Sequence, residues 1–157
     1  MNIVLLTIGK LKNKNLSEVI SMYTERLRHY IPYEIVELPD IRNSGKYSKE
    51  EIKTAEGQLI LSKILPNDFV ILLDERGNEY TSIEFSKLIQ NIISAGKKRM
   101  VLIVGGPFGF SKEVYDRIPH RLSLSKMTFS HEMVRLFISE QIYRAMTILR
   151  GESYHHE

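Results

Sequence analysis

Two continuous apolar runs, Phe69 to Leu73 and Met100 to Val104, narrow the folds open to this chain more than anything else in it. A strand covered on one face alternates apolar and polar residues, whereas a run apolar at every position belongs to a strand buried on both faces. Ile3 to Ile8 reads the same way with one threonine in it, and Tyr33 to Leu38 alternates like a half-buried strand. Between these lie helical signals. From Asn15 to Tyr30, Leu16, Val19, Ile20, Tyr23, Leu27 and Tyr30 are spaced three and four apart. Ser48-Lys49-Glu50-Glu51 and Thr81-Ser82-Ile83-Glu84 are capping boxes, in which a hydroxyl accepts the amide proton three residues on and the glutamate answers back. Arg121 to Ser125 reads as a weaker strand, and Glu132 to Leu149 as a long helix whose apolar stripe runs through Val134, Phe137, Ile138, Ile142, Ala145 and Leu149. Residues 39–47 read as a polar surface loop. Strands alternating with helices predict an α/β fold, a mostly parallel sheet with helices on both faces.

One core is expected, and so a single domain over residues 1–157, because a chain of 157 residues is too short to divide comfortably in two. The absence of cysteine removes disulfides, thiolate metal sites and a thiol nucleophile. The N-terminal apolar run has neither the length nor the cationic lead of a signal peptide, and no stretch approaches the ~20 apolar residues of a membrane span. A cytoplasmic location with no membrane partner is expected. The net charge of +3 is unevenly distributed: residues 1–96 hold 12 Lys/Arg against 13 Asp/Glu, and residues 97–157 hold 10 against 6. That asymmetry permits a polyanion near the C-terminal part, although Lys97, Lys98 and Arg99 read first as a solvated turn.

In parallel α/β sheets, ligands bind beyond the carboxyl ends of the strands, which directs attention to the segments after Leu73, Val104 and Ser125. After Val104 comes Gly105-Gly106-Pro107-Phe108-Gly109. Glycines there allow close backbone approach to a ligand or simply a tight turn. The run is not the dinucleotide fingerprint, and it lacks the Lys-Ser/Thr pair of a phosphate loop. After the weak strand, Leu122-Ser-Leu-Ser-Lys-Met-Thr-Phe-Ser-His131 concentrates hydroxyl and backbone groups before a long helix, with Thr128 or Ser130 as its cap. Met127 and Phe129 could cover an aromatic or thioether-bearing ligand as well as pack in a core. Arg135, Arg144 and Arg150, with Tyr143 and the closing Gly151-Glu-Ser-Tyr-His-His-Glu157, combine guanidinium groups and flat rings. That combination suits RNA, since arginine pairs with phosphates and rings stack on unpaired bases. Salt bridges within the protein are the alternative use of each arginine.

Taken in order and spacing, Gly105–Gly109, Leu122–His131, Val134-Arg135, Glu140-Gln-Ile-Tyr-Arg-Ala145, Arg150-Gly-Glu and Tyr154-His155 resemble the RlmH family of bacterial ribosomal RNA large-subunit methyltransferases. Ile8-Gly9-Lys10-Leu11-Lys12, Glu37-Leu-Pro-Asp40 and Glu56-Gly57-Gln58 extend the resemblance over nearly the whole chain. It implies a SPOUT, or α/β-knot, methyltransferase: a C-terminal trefoil knot, a homodimer formed around it, and S-adenosylmethionine held bent in the knotted loops. The implied reaction is methylation of N3 of a pseudouridine in 23S rRNA, in the large subunit or the assembled ribosome, with no metal. The implied cofactor residues are Leu73, Gly105, Leu124, Ser125, Lys126, Met127, Thr128 and Phe129. His131, Arg135, Tyr154 and His155 are the implied catalytic and RNA-side group. The chain departs from the family at Ser130, where proline is usual, and at the more charged Asp74-Glu75-Arg76.

Since the tail lies near the chain end, one subunit's tail is expected to complete the partner's site. A non-catalytic RNA-binding, ribosome-associated factor on the same fold is the alternative, and a nucleotide-dependent oxidoreductase is disfavoured by the missing fingerprint.

Overall fold

The computed structural model describes residues 1–41 and 45–156; the part of the expected 39–47 loop at residues 42–44 lies outside them. The described chain runs β1 (Asn2–Ile8), α1 (Lys14–Leu27), β2 (Tyr33–Leu38), α2 (Lys49–Ser62), β3 (Phe69–Glu79), α3 (Ser82–Ser94), β4 (Arg99–Val104), α4 (Lys112–Arg117), β5 (Arg121–Ser123) and α5 (His131–Leu149). Five strands form one sheet in the order β2-β1-β4-β3-β5, and each neighbouring pair is parallel.

The apolar runs do what their continuity requires. In β1, Ile3 and Leu5 face one core cluster while Val4, Leu6 and Ile8 face the other; in β4, Met100, Leu102 and Val104 oppose Val101 and Ile103. Both layers are dry, so neither face of the sheet can be left without helices. The face lined by Ile3, Leu5 and Met100 is covered by α1, α3 and α5, which pack on one another, and the opposite face by α2 and α4.

Both capping boxes form. The Ser48 hydroxyl accepts from the Glu51 N–H at 3.2 Å and the Glu51 carboxylate from the Ser48 N–H at 2.7 Å, with the same exchange between Thr81 and Glu84.

Three expectations are corrected. β3 does not stop at Leu73: after a shift of register between Leu73 and Asn78 it pairs with β5 again, so Asp74 to Gly77 bulge away from the ladder. β5 ends at Ser123 rather than Ser125, because the Ser123 hydroxyl donates to the Ser125 carbonyl at 2.9 Å and the Ser125 hydroxyl accepts from the Met127 N–H at 2.9 Å, turning the chain. Arg99 is not part of a solvated turn; it opens β4 and its guanidinium pairs with Asp68 at 3.1 Å.

The inward face of α5 is also rotated from its apolar stripe. Its buried residues are Arg135, Ile138, Ser139, Ile142, Ala145, Met146 and Thr147, whereas Val134, Phe137 and Leu149 are only partly covered. Polar groups enter because each finds a partner. Ser139 donates to the Arg135 carbonyl at 2.7 Å and lies 2.8 Å from the Tyr33 hydroxyl.

The chain after β4 crosses to the face opposite that taken after its neighbours β1 and β3, which opens a crevice at the carboxyl edge of the sheet. Among the described residues no helix is long and apolar enough to cross a membrane. Ile138, fully buried where α5 meets the sheet, should be the test of that packing. Ile138→Ala is expected to cost about 2–5 kcal/mol, measured as a lowered urea midpoint.

Candidate active site

A cavity of about 520 Å³ opens at that crevice, within the range of roughly 300–1,000 Å³ usual for small-ligand sites. Segments of three strands converge on it: Leu73 to Arg76 at the bulge of β3, Val104 to Phe110 from the end of β4 onward, and Leu122, Leu124, Ser125, Met127, Thr128 and Phe129 from β5 and the turn after it. His131 and Val134 close it from the start of α5, and Lys53 and Tyr115 from α2 and α4.

Of the residues expected at a cofactor, Leu73, Gly105, Leu124, Ser125, Met127, Thr128 and Phe129 all line the cavity. Lys126 does not; its ammonium points outward, 3.9 Å from Glu79. Met127 is 75% exposed and therefore no core residue, whereas Phe129 packs on Phe137 with ring centroids 4.9 Å apart.

The charged departure at 74–76 ties this wall together. The Tyr115 hydroxyl donates to Asp74, the Arg76 N–H donates to Asp74 at 2.8 Å, and the Thr128 hydroxyl donates to Glu75 at 3.0 Å. Burial and the Asp74 carboxylate push the Tyr115 phenol up to about 12, so it stays protonated and holds the bond. The departure at Ser130 leaves the geometry in place. Ser130 has φ −64°, a value proline also adopts, and its hydroxyl accepts from the Met133 N–H at 3.4 Å as the α5 cap.

His131 is half-buried, with its pKa pushed down by burial and then by the nearby Arg135 charge, against a hydrogen bond with the Gly105 backbone. A neutral imidazole is favoured, one able to accept a proton at neutral pH.

The other three expected catalytic residues are elsewhere in the chain. Arg135 is 2% exposed; its guanidinium donates to the Ile8 carbonyl at 3.0 Å, the Gly9 carbonyl at 2.8 Å and Glu37 at 2.9 Å. These inward bonds, not an RNA-facing surface, are where the structure places it. Tyr154 and His155 lie against the far half of α5. The Tyr154 hydroxyl donates to Glu140 at 3.1 Å, the Arg144 guanidinium sits 4.8 Å from the centre of the Tyr154 ring, and His155 is 3.3 Å from Arg144. At about 1.5 Å per residue, Arg144 is roughly 20 Å along the helix from His131. A single chain thus brings His131 together with most of the residues expected at a cofactor and keeps the tail away.

Comparisons with known proteins show the family. A family model described as predicted SPOUT methyltransferase matches residues 1–155. The ribosomal RNA large subunit methyltransferase H of Porphyromonas gingivalis is 50% identical over 157 residues, covering all of both chains. The protein of that name from Christiangramia forsetii is 49% identical over 156 residues, covering 99% of each. A solved probable methylase family protein from Haemophilus influenzae superposes with a TM-score of 0.54 at 13% identity, covering 99% of this chain and 71% of its own. This last likeness concerns the fold alone.

Sequence reasoning passed over Glu56, which is 2% exposed beneath the glycine loop. A Cβ built on Gly106 would lie 2.2 Å from the Glu56 Oε2, so the loop can rest on this carboxyl only through glycine. The signal was there in Glu56-Gly57-Gln58: Gly57 brings α2 against the α4 cap, where a Cβ would lie 2.4 Å from the Ser111 hydroxyl oxygen. Burial, and then the nearby Asp40, raise the Glu56 pKa above its ordinary 4.5, opposed by a hydrogen bond from the Ile41 backbone. The folded protein therefore holds this proton more tightly than the unfolded chain does. That favours folding at low pH, and the advantage is lost as pH rises from the ordinary carboxylate value through the raised one. Glu56→Gln should flatten this part of the stability–pH curve and stabilise the protein at neutral pH, read from urea midpoints between pH 4 and 8; an unchanged slope contradicts it.

Proposed function

We propose, on the premise that this chain belongs to the SPOUT methyltransferase family, that it transfers the methyl group of S-adenosylmethionine to N3 of a pseudouridine in 23S ribosomal RNA. The observation that carries the reading is the meeting of segments from three strands in one cavity with His131 at its edge, its pKa pushed down by burial. The residues fit the cofactor. Leu73, Leu122, Leu124 and Val134 supply apolar walls, Gly105 and Gly106 admit close backbone approach, and Ser125 and Thr128 supply hydroxyls.

S-adenosylmethionine supplies an electrophilic methyl group on sulfur. The protein has to hold the acceptor in line with it and keep water out, with no covalent intermediate. Phe108, Met127 and Phe129, apolar side chains around the cavity, are placed to exclude water. An imide N3 must lose its proton to become nucleophilic, and the His131 imidazole, whose pKa is pushed down by burial, is one base at the cavity able to take it. The Asp74 and Glu75 carboxylates on the β3 wall are engaged by Tyr115, Arg76 and Thr128. Arg135 acts as a positioning residue, since its guanidinium is committed to Glu37 and the end of β1.

The functional unit is a homodimer in the cytoplasm whose substrate is the large subunit or assembled ribosome, with the threaded C-terminal segment that the family resemblance implies. Two features support the dimer. Phe137 and Leu149 on α5 are only partly covered within one chain, and Tyr154 and His155 sit far from their own His131, as a tail serving a partner's cavity would.

Incubation with methyl-labelled S-adenosylmethionine and isolated ribosomal particles should place label on N3 of one pseudouridine of 23S rRNA. Cofactor binding without any transfer would point instead to a non-catalytic RNA-binding factor. Deleting residues 153–157 is expected to abolish transfer while calorimetry shows cofactor affinity nearly unchanged; retained transfer rules out the tail's part.

A further inference from the structure

The motif Ile8-Gly9-Lys10-Leu11-Lys12 has no part in the cavity, yet its surroundings are built with care. Gly9 takes φ +79° as β1 ends, and its N–H donates to the Leu38 carbonyl at 2.8 Å. The Leu11 N–H donates to Glu37 at 2.7 Å, and the Lys12 and Asn13 N–H groups to Glu132 at 2.6 and 3.3 Å. Arg135 holds the Ile8 and Gly9 carbonyls, and the Asn13 side chain caps α1 through the Leu16 N–H. Two carboxylates and a guanidinium from β2 and α5 thus hold the backbone of one short loop.

On this held backbone, Lys10, Lys12 and Lys14 are all exposed, three ammonium groups in five residues. Glu37 and Glu132 direct oxygens to backbone N–H groups; the Lys12 charge acts on Glu132, but among the described residues no salt bridge engages any of the three lysines. Like charges so close repel one another, an arrangement relieved by an external anion. The loop follows the carboxyl end of β1, beside β4 in the sheet, and it is bonded to Glu132, the neighbour of the cavity residue His131.

We infer that Lys10, Lys12 and Lys14 form a rigid cationic rim that binds the RNA phosphodiester backbone next to the nucleotide being methylated. This inference rests on the rRNA methyltransferase reading: a base in the cavity draws its flanking phosphates past the rim, and ammonium groups carried on an already held backbone neutralise them without a loop to order. It relocates the polyanion contact that the charge distribution suggested. Lys97 and Lys98 precede β4 at the amino edge of the sheet, where Asn2 pairs with Arg99, opposite the cavity.

The test compares the wild type with K10Q/K12Q/K14Q, K10R/K12R/K14R and K97Q/K98Q, using a 23S rRNA fragment containing the methylated site. The Gln triple should flatten the slope of log binding constant against log salt by about 2–3 and raise the KM for RNA on the order of tenfold. Cofactor affinity should be unchanged. The Arg triple should keep the wild-type slope, and so should K97Q/K98Q. A Gln triple with wild-type slope and KM, beside an active wild type, overturns the rim alone, as does an equal loss in K97Q/K98Q. A wild type that neither binds nor methylates the RNA overturns the rim together with the reading beneath it.

Discussion

The guanidinium of Arg135 is the joint on which the site depends. It lies within the protein where α5 begins, and it reaches the last carbonyls of β1 and the carboxylate of Glu37 at the end of β2. A buried charge of this kind is tolerable only when each of its neighbours is satisfied, and removing one partner of such a pair typically costs about 3–5 kcal/mol. Glu37 is shared, since it also accepts from the Leu11 N–H. One ion pair therefore sets the height of α5 over the sheet, the course of the β1–α1 loop and, through the first turn of α5, the position of His131 against Gly105.

Around this joint the charges separate by depth. Inside, burial favours the uncharged forms: the Glu56 pKa is raised, the His131 pKa lowered, and the Tyr33 phenol held protonated beside Ser139. Outside, lysines gather on a loop whose backbone is already bonded. A methyl transfer that generates a proton and an RNA that carries charge make different demands, and this layering answers both. The far end of α5 has a third character. Tyr23, Tyr30, Tyr143 and Tyr154 pack edge-on or tilted, with Arg26, Arg144 and Arg150 over their rings.

Much of the cavity's lining was legible because it follows from strand order and local composition. Leu73, Gly105 and Leu124 end or follow apolar runs, and ligands gather at such ends. Ser130 was readable as a cap because capping is a matter of one side chain and the N–H three residues on. Lys126 was misplaced because a turn of small hydroxyl residues does not say which side chain points out. Arg135 was misread because α5 is apolar over a wide arc, so periodicity cannot show which polar residue lies inside. Glu56 escaped notice because its burial depends on a glycine loop 50 residues away.

By itself the sequence determined five strands, their helices, both capping boxes and the three segments that line the cavity, since each depends on residues a few positions apart. The tertiary structure alone decided the strand order, the inward turn of Arg135, the clamped lysine loop and the placing of Tyr154 far from His131. Those outcomes depend on partners such as Glu37 and Arg135, 98 residues apart, or Lys12 and Glu132, 120 apart. No local pattern encodes such pairs, because their members meet only once the chain has folded.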